Sequence, residues 1–140
     1  MGADALVNLA RIGQLKIQTF DIAEFQRMLM QARTRCADAQ LHHVSVDGRF
    51  ASIYGAAHAA ALAALRWHGY RSENRFTVFQ CLTHTLGWPA HRWRVLDAAH
   101  QKRNLAEYEG FLDIEESMVN EMIQLVQDLI TDVDQLAKPK

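Results

Sequence analysis

Helix breakers are scarce in this chain, which has two prolines and seven glycines in 140 residues. That scarcity excludes a collagen-like or Pro/Gly-rich disordered protein and leaves little turn punctuation for an all-β fold. Cysteine is almost missing as well. Cys36 and Cys81 are the only two, both inside stretches that read as helix, so a disulfide framework is excluded. They lack the close spacing of a zinc site and read as small buried residues of a reduced, cytoplasmic protein. No apolar run reaches the ~20 residues that span a bilayer. Met1 to Gly13 has no long apolar core followed by a cleavage site, and Leu6 stands where a myristoylation signal carries Ser or Thr. No membrane association is expected.

What remains is a helix-forming composition. Twenty Ala and fifteen Leu make up a quarter of the chain, at 49% hydrophobic and 22% charged residues overall. Both types head the helix-propensity ranking. The chain reads as a single all-α domain over residues 1–140, an antiparallel bundle of about five helices. A first helix covers about Ala3 to Ile12. A second starts at Asp21, an N-cap with Glu24 three residues on, and runs to about Leu41 with Ile22, Phe25, Met28, Leu29, Ala32 and Cys36 on one stripe. After a break through Asp47-Gly48, a third runs from about Arg49 to His68. Its seven alanines between Ala56 and Ala64 make it the central helix. A polar loop from Tyr70 to Arg75 precedes a helix over Thr77 to Leu86, closed by Gly87. Pro89 opens the next, which Gly110 breaks after Tyr108. The last begins near Asp113 and carries Ile114, Met118, Met122, Leu125, Leu129 and Val133 as its apolar stripe.

Charge is unevenly spread. Residues 1–110 hold 13 Lys and Arg against 9 Asp and Glu, whereas residues 111–140 hold 2 against 7. Within 49–103, eight basic residues and five histidines face only Glu73 and Asp97. This basic middle is either an anionic-ligand site or the electrostatic partner of the acidic last helix.

The stretch from His100 to Tyr108 is the most informative. At ~100° per residue, His100, Arg103, Asn104, Glu107 and Tyr108 share an arc of roughly 140° on one helix face. Such a face is a functional site, a solvated surface or a buttressing hydrogen-bond network.

The run from Tyr54 to Leu65, then Gly69-Tyr70-Arg71, Thr77-Val78-Phe79 and Lys102-Arg103-Asn104 before Glu107-Tyr108, resembles the HEPN domains, in particular a small actinobacterial-type subfamily, over about residues 20–135. The resemblance implies a four- or five-helix bundle that commonly dimerises. It further implies RNA or nucleotide binding, and in many members metal-independent ribonuclease activity, as in toxins paired with an antitoxin protein or in defence systems; other members are non-catalytic interaction modules. Active members carry Arg, usually followed by Asn, Asp or His, four to six residues before a His. Such chemistry requires a base for the ribose 2′-hydroxyl, a cation for the phosphorane and a proton for the leaving oxygen, which His and Arg supply.

Arg103-Asn104 matches the start of that pattern, but Tyr108 stands where its His belongs. A tyrosine with an ordinary pKa near 10 is a poor base at pH 7. His100, one turn before Arg103, is the imidazole that could replace it. The expected catalytic set is therefore Arg103, Asn104, Tyr108 and His100, with Lys102, Arg94 and Arg92 as nucleic-acid contacts, and with no metal and no cofactor. Arg94 to His100 and Arg35 to His42 also fit the bare spacing, as chance pairs, since Val95 and Cys36 follow those arginines. His42-His43, His84 and His91 lack partners at metal spacing. Trp67, Trp88 and Trp93 sit beside Arg66, Arg92 and Arg94. They read as packing residues ahead of RNA-stacking platforms.

Overall fold

Alanine decides the architecture. In α3 (Val46–Trp67), Ala56, Ala57, Ala60, Ala61, Ala63 and Ala64 have no solvent exposure. Methyl side chains on more than one side of a helix let several neighbours approach closely. A computed structural model describes residues 2–138. Around α3 it arranges α1 (Gly2–Arg11), β1 (Lys16–Ile17), α2 (Ile22–Asp38), β2 (Tyr70–Arg71), α4 (Arg75–Gln80), α5 (Leu82–Leu86), α6 (Ala90–Glu109) and α7 (Glu116–Leu136). α3 packs against α2 and α7 most extensively, and also meets α4, α5, α6 and β2. The all-α bundle with a central third helix is as the composition implies. No helix among the described residues is long and apolar enough to cross a membrane.

Several boundaries differ from the expected ones, each for a local reason. α3 begins at Val46 because the Ser45 hydroxyl accepts a hydrogen bond from the Gly48 amide at 3.1 Å, so Asp47-Gly48 lies inside the first turn. The Asp21 carboxylate caps α2 through the amides of Ala23 and Glu24. Glu24 does not complete a capping box and instead pairs with Arg66 on α3. The segment Thr77 to Leu86 is two short helices joined at Cys81, which raises the count to seven among the described residues. The ribbon was not expected. Ile17 pairs with Tyr70 and Lys16 with Arg71, tying the α1–α2 link to the α3–α4 link. In α7 the buried face runs through Val119, Met122, Ile123, Val126, Leu129, Ile130 and Val133. Met118 and Leu125 sit at its margin, half-buried.

The two thiols are free and buried, and burial pushes the Cys81 thiol up to about 11. The tryptophans serve packing. Trp67 packs edge-on against Phe20 and at a tilt against Phe25, while Trp88 and Trp93 are buried. Trp88 donates its indole N–H to Asp132 at 2.8 Å, which fastens the start of α6 to α7.

Polar contacts join the basic middle to the acidic last helix. Arg92 meets Asp128, and from outside that middle segment Arg33 of α2 meets Asp134. Arg49 is only 5% exposed. It donates from Nε to the Ala39 carbonyl at 2.7 Å, from Nη1 to Glu116 at 3.1 Å and from Nη2 to Asn120 at 3.1 Å. One guanidinium thus ends α2, holds α3 and receives α7. Arg49→Met keeps the aliphatic stem and deletes all three bonds, leaving the Ala39 carbonyl without that donor. Urea unfolding should show a loss of about 2–4 kcal/mol.

Candidate functional site

α6 is a helix of two halves. Its buried residues are Trp93, Leu96 and Ala99, and none follows before it ends. From Lys102 onward the sequence offers no apolar stripe, so nothing draws that half onto the core. Gly110 then stops it at φ +84°, a left-handed conformation that favours glycine, and the chain turns through Phe111 and Leu112. Between this outer half and the α2–α3 face lies an open cleft of about 660 Å³. Its floor is α3, through Phe50, Ala51, Tyr54 and Gly55.

Three arginines from three helices line it, namely Arg35 of α2, Arg75 of α4 and Arg103 of α6. The guanidinium carbons of Arg75 and Arg103 each lie 5.4 Å from the centroid of the Tyr54 ring, a cation–π distance. Arg75 also donates from Nη1 to the Tyr54 hydroxyl at 3.1 Å. With the Gln31 amide turned to bond, its oxygen accepts from Arg35 Nε at 3.1 Å and Nη2 at 3.0 Å. Arg35 reaches the cleft because position 55 is glycine. A Cβ there would stand 2.8 Å from Arg35 Nη1 and 3.1 Å from its Cδ. Among the described residues neither Arg35 nor Arg75 is ion-paired; Arg103 meets only Glu107, at 3.6 Å.

Tyr54 is the hub. It is 3% exposed, and its hydroxyl lies 3.1 Å from His100 Nδ1. The two rings are near parallel, with centroids 6.3 Å apart. On the other side of the imidazole, Asn104 Nδ2 lies 3.2 Å from Nε2. If the amide donates there, Nδ1 carries the ring proton and donates to the Tyr54 oxygen. Tyr54 then accepts from both Arg75 and His100, and its own hydrogen is free for the cleft. Burial raises the Tyr54 pKa more than Arg75 lowers it, so the phenol stays a proton donor. Burial and the charges of Arg75 and Arg103 lower the pKa of His100, against Asp97, which raises it. His58, one turn beyond Tyr54, is brought down to about 4 by burial first and then by Arg75, His100 and Arg103. Two neutral imidazoles therefore adjoin a group of cations.

Of the residues singled out from the sequence, His100, Arg103 and Asn104 come together. Tyr108 does not; it is 94% exposed and does not line the cleft. Lys102, Arg94 and Arg92 are also elsewhere. Lys102 donates to the Asp113 carbonyl at 3.0 Å, Arg94 lies over Trp93, and Arg92 lies over Trp88 and pairs with Asp128. The described residues hold no group of three His, Cys, Asp or Glu placed to bind a metal.

Tyr54, His58, Arg35 and Arg75 were not singled out as site residues. The polar pair Tyr54 and His58, spaced i,i+4 in a run of small residues, was a readable signal. Arg35 and Arg75 had none, since they arrive from α2 and α4 by tertiary packing. No family model, curated protein or solved structure matches the chain.

Gly55→Ala adds a better helix former and asks only a long side chain to move. Urea unfolding should find stability held or raised, by up to about 1 kcal/mol, while binding of an anionic ligand falls severalfold as Arg35 is displaced. For His58 the native pKa lies below the unfolded 6.5, so the folded state resists protonation. The associated stability is complete above pH 6.5 and is lost as pH falls toward 4. Between those values the protein should lose more stability than a His58→Gln variant, by up to about 3 kcal/mol, as read by melts at each pH.

Proposed function

We propose that the protein binds RNA or a nucleotide through its phosphate in the cleft between α3 and the outer half of α6. The observation that carries this reading is the meeting of Arg35, Arg75 and Arg103 on one open cleft, two of them over the same tyrosine ring. Like charges gathered this way repel one another, and a phosphate relieves the repulsion while accepting paired N–H bonds from each guanidinium. The proposal extends to metal-independent cleavage of RNA by a HEPN-like protein, working as a toxin or defence ribonuclease in the reducing cytoplasm, where buried free thiols persist. In that chemistry a ribose 2′-hydroxyl replaces the exposed Asn104 amide at His100 Nε2 and gives up its proton there. Arg103 and Arg75 counter the phosphorane charge. Tyr54 gives its hydrogen to the departing 5′-oxygen and is reprotonated from His100 Nδ1, so the proton count closes.

A second reading is a non-catalytic interaction module. It is favoured by Leu105, Tyr108 and Phe111, large apolar side chains exposed together at the end of α6, where a second copy or an antitoxin-like protein would dock. The two readings separate in one experiment. Labelled RNA is incubated with the protein in EDTA, beside Arg103→Ala and His100→Ala. The ribonuclease reading expects cleavage that falls at least about a hundredfold in both variants. Binding without cleavage, lost in Arg103→Ala, leaves the phosphate site alone. RNA neither bound nor cut leaves the interaction module, and sedimentation then reports whether Tyr108→Ser breaks a dimer.

A further inference from the structure

The charges of the cleft are separated along α3. Its cations gather around Tyr54 and Gly55, where Arg75 and Arg103 cover the ring and Arg35 lies against the glycine. Asp47 lines the same cleft from the first turn of α3, seven residues earlier, or about 10 Å along the helix axis. Its carboxylate is exposed and, among the described residues, has neither an ion pair nor a hydrogen bond, although three arginines line the same space. The other carboxylate of the lining, Glu107, is held by Arg103. Between the two ends the α3 floor is apolar, with Phe50 and Ala51, and Phe111 lines the same cleft from the turn after α6. The Phe111 ring is 63% exposed, so a face is open for stacking.

A ligand complementary to this cleft is anionic at one end, flat and apolar in the middle, and a hydrogen-bond donor at the other end. We infer that the cleft is specific for a guanine nucleotide, free or within RNA, with the phosphate at Arg75 and Arg103 and the base edge at Asp47. This rests on the phosphate-binding reading and adds the base to it. Guanine presents N1–H and the 2-amino N–H side by side, matched to the two oxygens of a carboxylate. Adenine and cytosine present an amino group beside a ring nitrogen acceptor, which a carboxylate repels. Uracil offers one N–H between two carbonyls. The span from a 5′-phosphate to the guanine edge is of the same order as the rise of α3 from Asp47 to Tyr54, the ring that Arg75 and Arg103 cover.

The test is displacement of a fluorescein-labelled RNA oligonucleotide by 5′-GMP, 5′-IMP and 5′-AMP. Inosine lacks only the 2-amino group, so it isolates the second hydrogen bond. The expected result is displacement by GMP at a concentration about tenfold below AMP, with IMP between them. In Asp47→Asn that advantage disappears while the protein stays folded, the loss of an exposed first-turn carboxylate lowering the melting temperature by only a few degrees. A second variant, Asp47→Ala, gives the same loss without an amide that could read another base. Equal displacement by GMP and AMP, displacement by neither, or an advantage that survives in both variants overturns the guanine assignment. In those cases labelled RNA that still binds, and is released by Arg103→Ala, keeps the phosphate reading intact. Labelled RNA that does not bind, or binds equally to Arg103→Ala, overturns both.

Discussion

The packing of α3 is the constraint on which everything else depends. A helix with eight alanines in 22 residues can be surrounded, and α2 and α7 close on it from two sides while the short α4 and α5 and the start of α6 use the rest. Among its larger side chains, Phe50, Ile53 and Leu65 fill the core. Tyr54 and His58 occupy successive turns beside Arg75 and His100, and Tyr54 lines the cleft under the outer half of α6. The same small-residue pattern that makes the bundle therefore leaves room for the cleft. Gly55 carries it to its limit, since even a methyl group there would collide with the Arg35 side chain lying across α3.

Electrostatics then sorts the arginines into two groups. Those facing α7 or α2 are neutralised inside the fold, as with Arg49 and Glu116, Arg92 and Asp128, and Arg66 and Glu24. Those facing the cleft are left with a tyrosine ring, an amide and one distant glutamate. Placing cations together without full compensation costs free energy, and that cost is the reserve a bound anion draws on. Burial first, and then the same field, keep His58 and His100 uncharged, because a protonated imidazole would lose its hydration and add to the repulsion of Arg75 and Arg103.

Much of the fold was legible from residue types alone. Alanine content and glycine stops place α3 and the end of α6, and Asp21 marks the start of α2. The start of α3 was hidden because Asp-Gly is a turn signal, and only the Ser45 side chain shows that it is a helix first turn here. The ribbon was hidden because two residues per strand give no period to read. For the site, the helical arc of α6 placed His100, Arg103 and Asn104 correctly on one face. It failed for Tyr108, which stands at the far edge of the arc, about 140° around the helix from Arg103, and so points away from the cleft that Arg103, Ala106 and Glu107 line. Periodicity gathers side chains on one face of a helix; it does not say which part of that face a neighbour covers. Arg35 and Arg75 were beyond reach for a related reason, as their meeting is decided by how α2 and α4 cross α3.

That departure of α6 from the core has a consequence for the protein's history. Beyond the contacts of His100 and Arg103 with Tyr54, the ten residues past Ala99 are held by their own helical hydrogen bonds and by Lys102 gripping the Asp113 carbonyl. Changes on this projecting wall meet few packing penalties, so its side chains can be exchanged while the bundle behind them stays the same. A lineage could in this way retune what enters the cleft without ever passing through an unfolded ancestor.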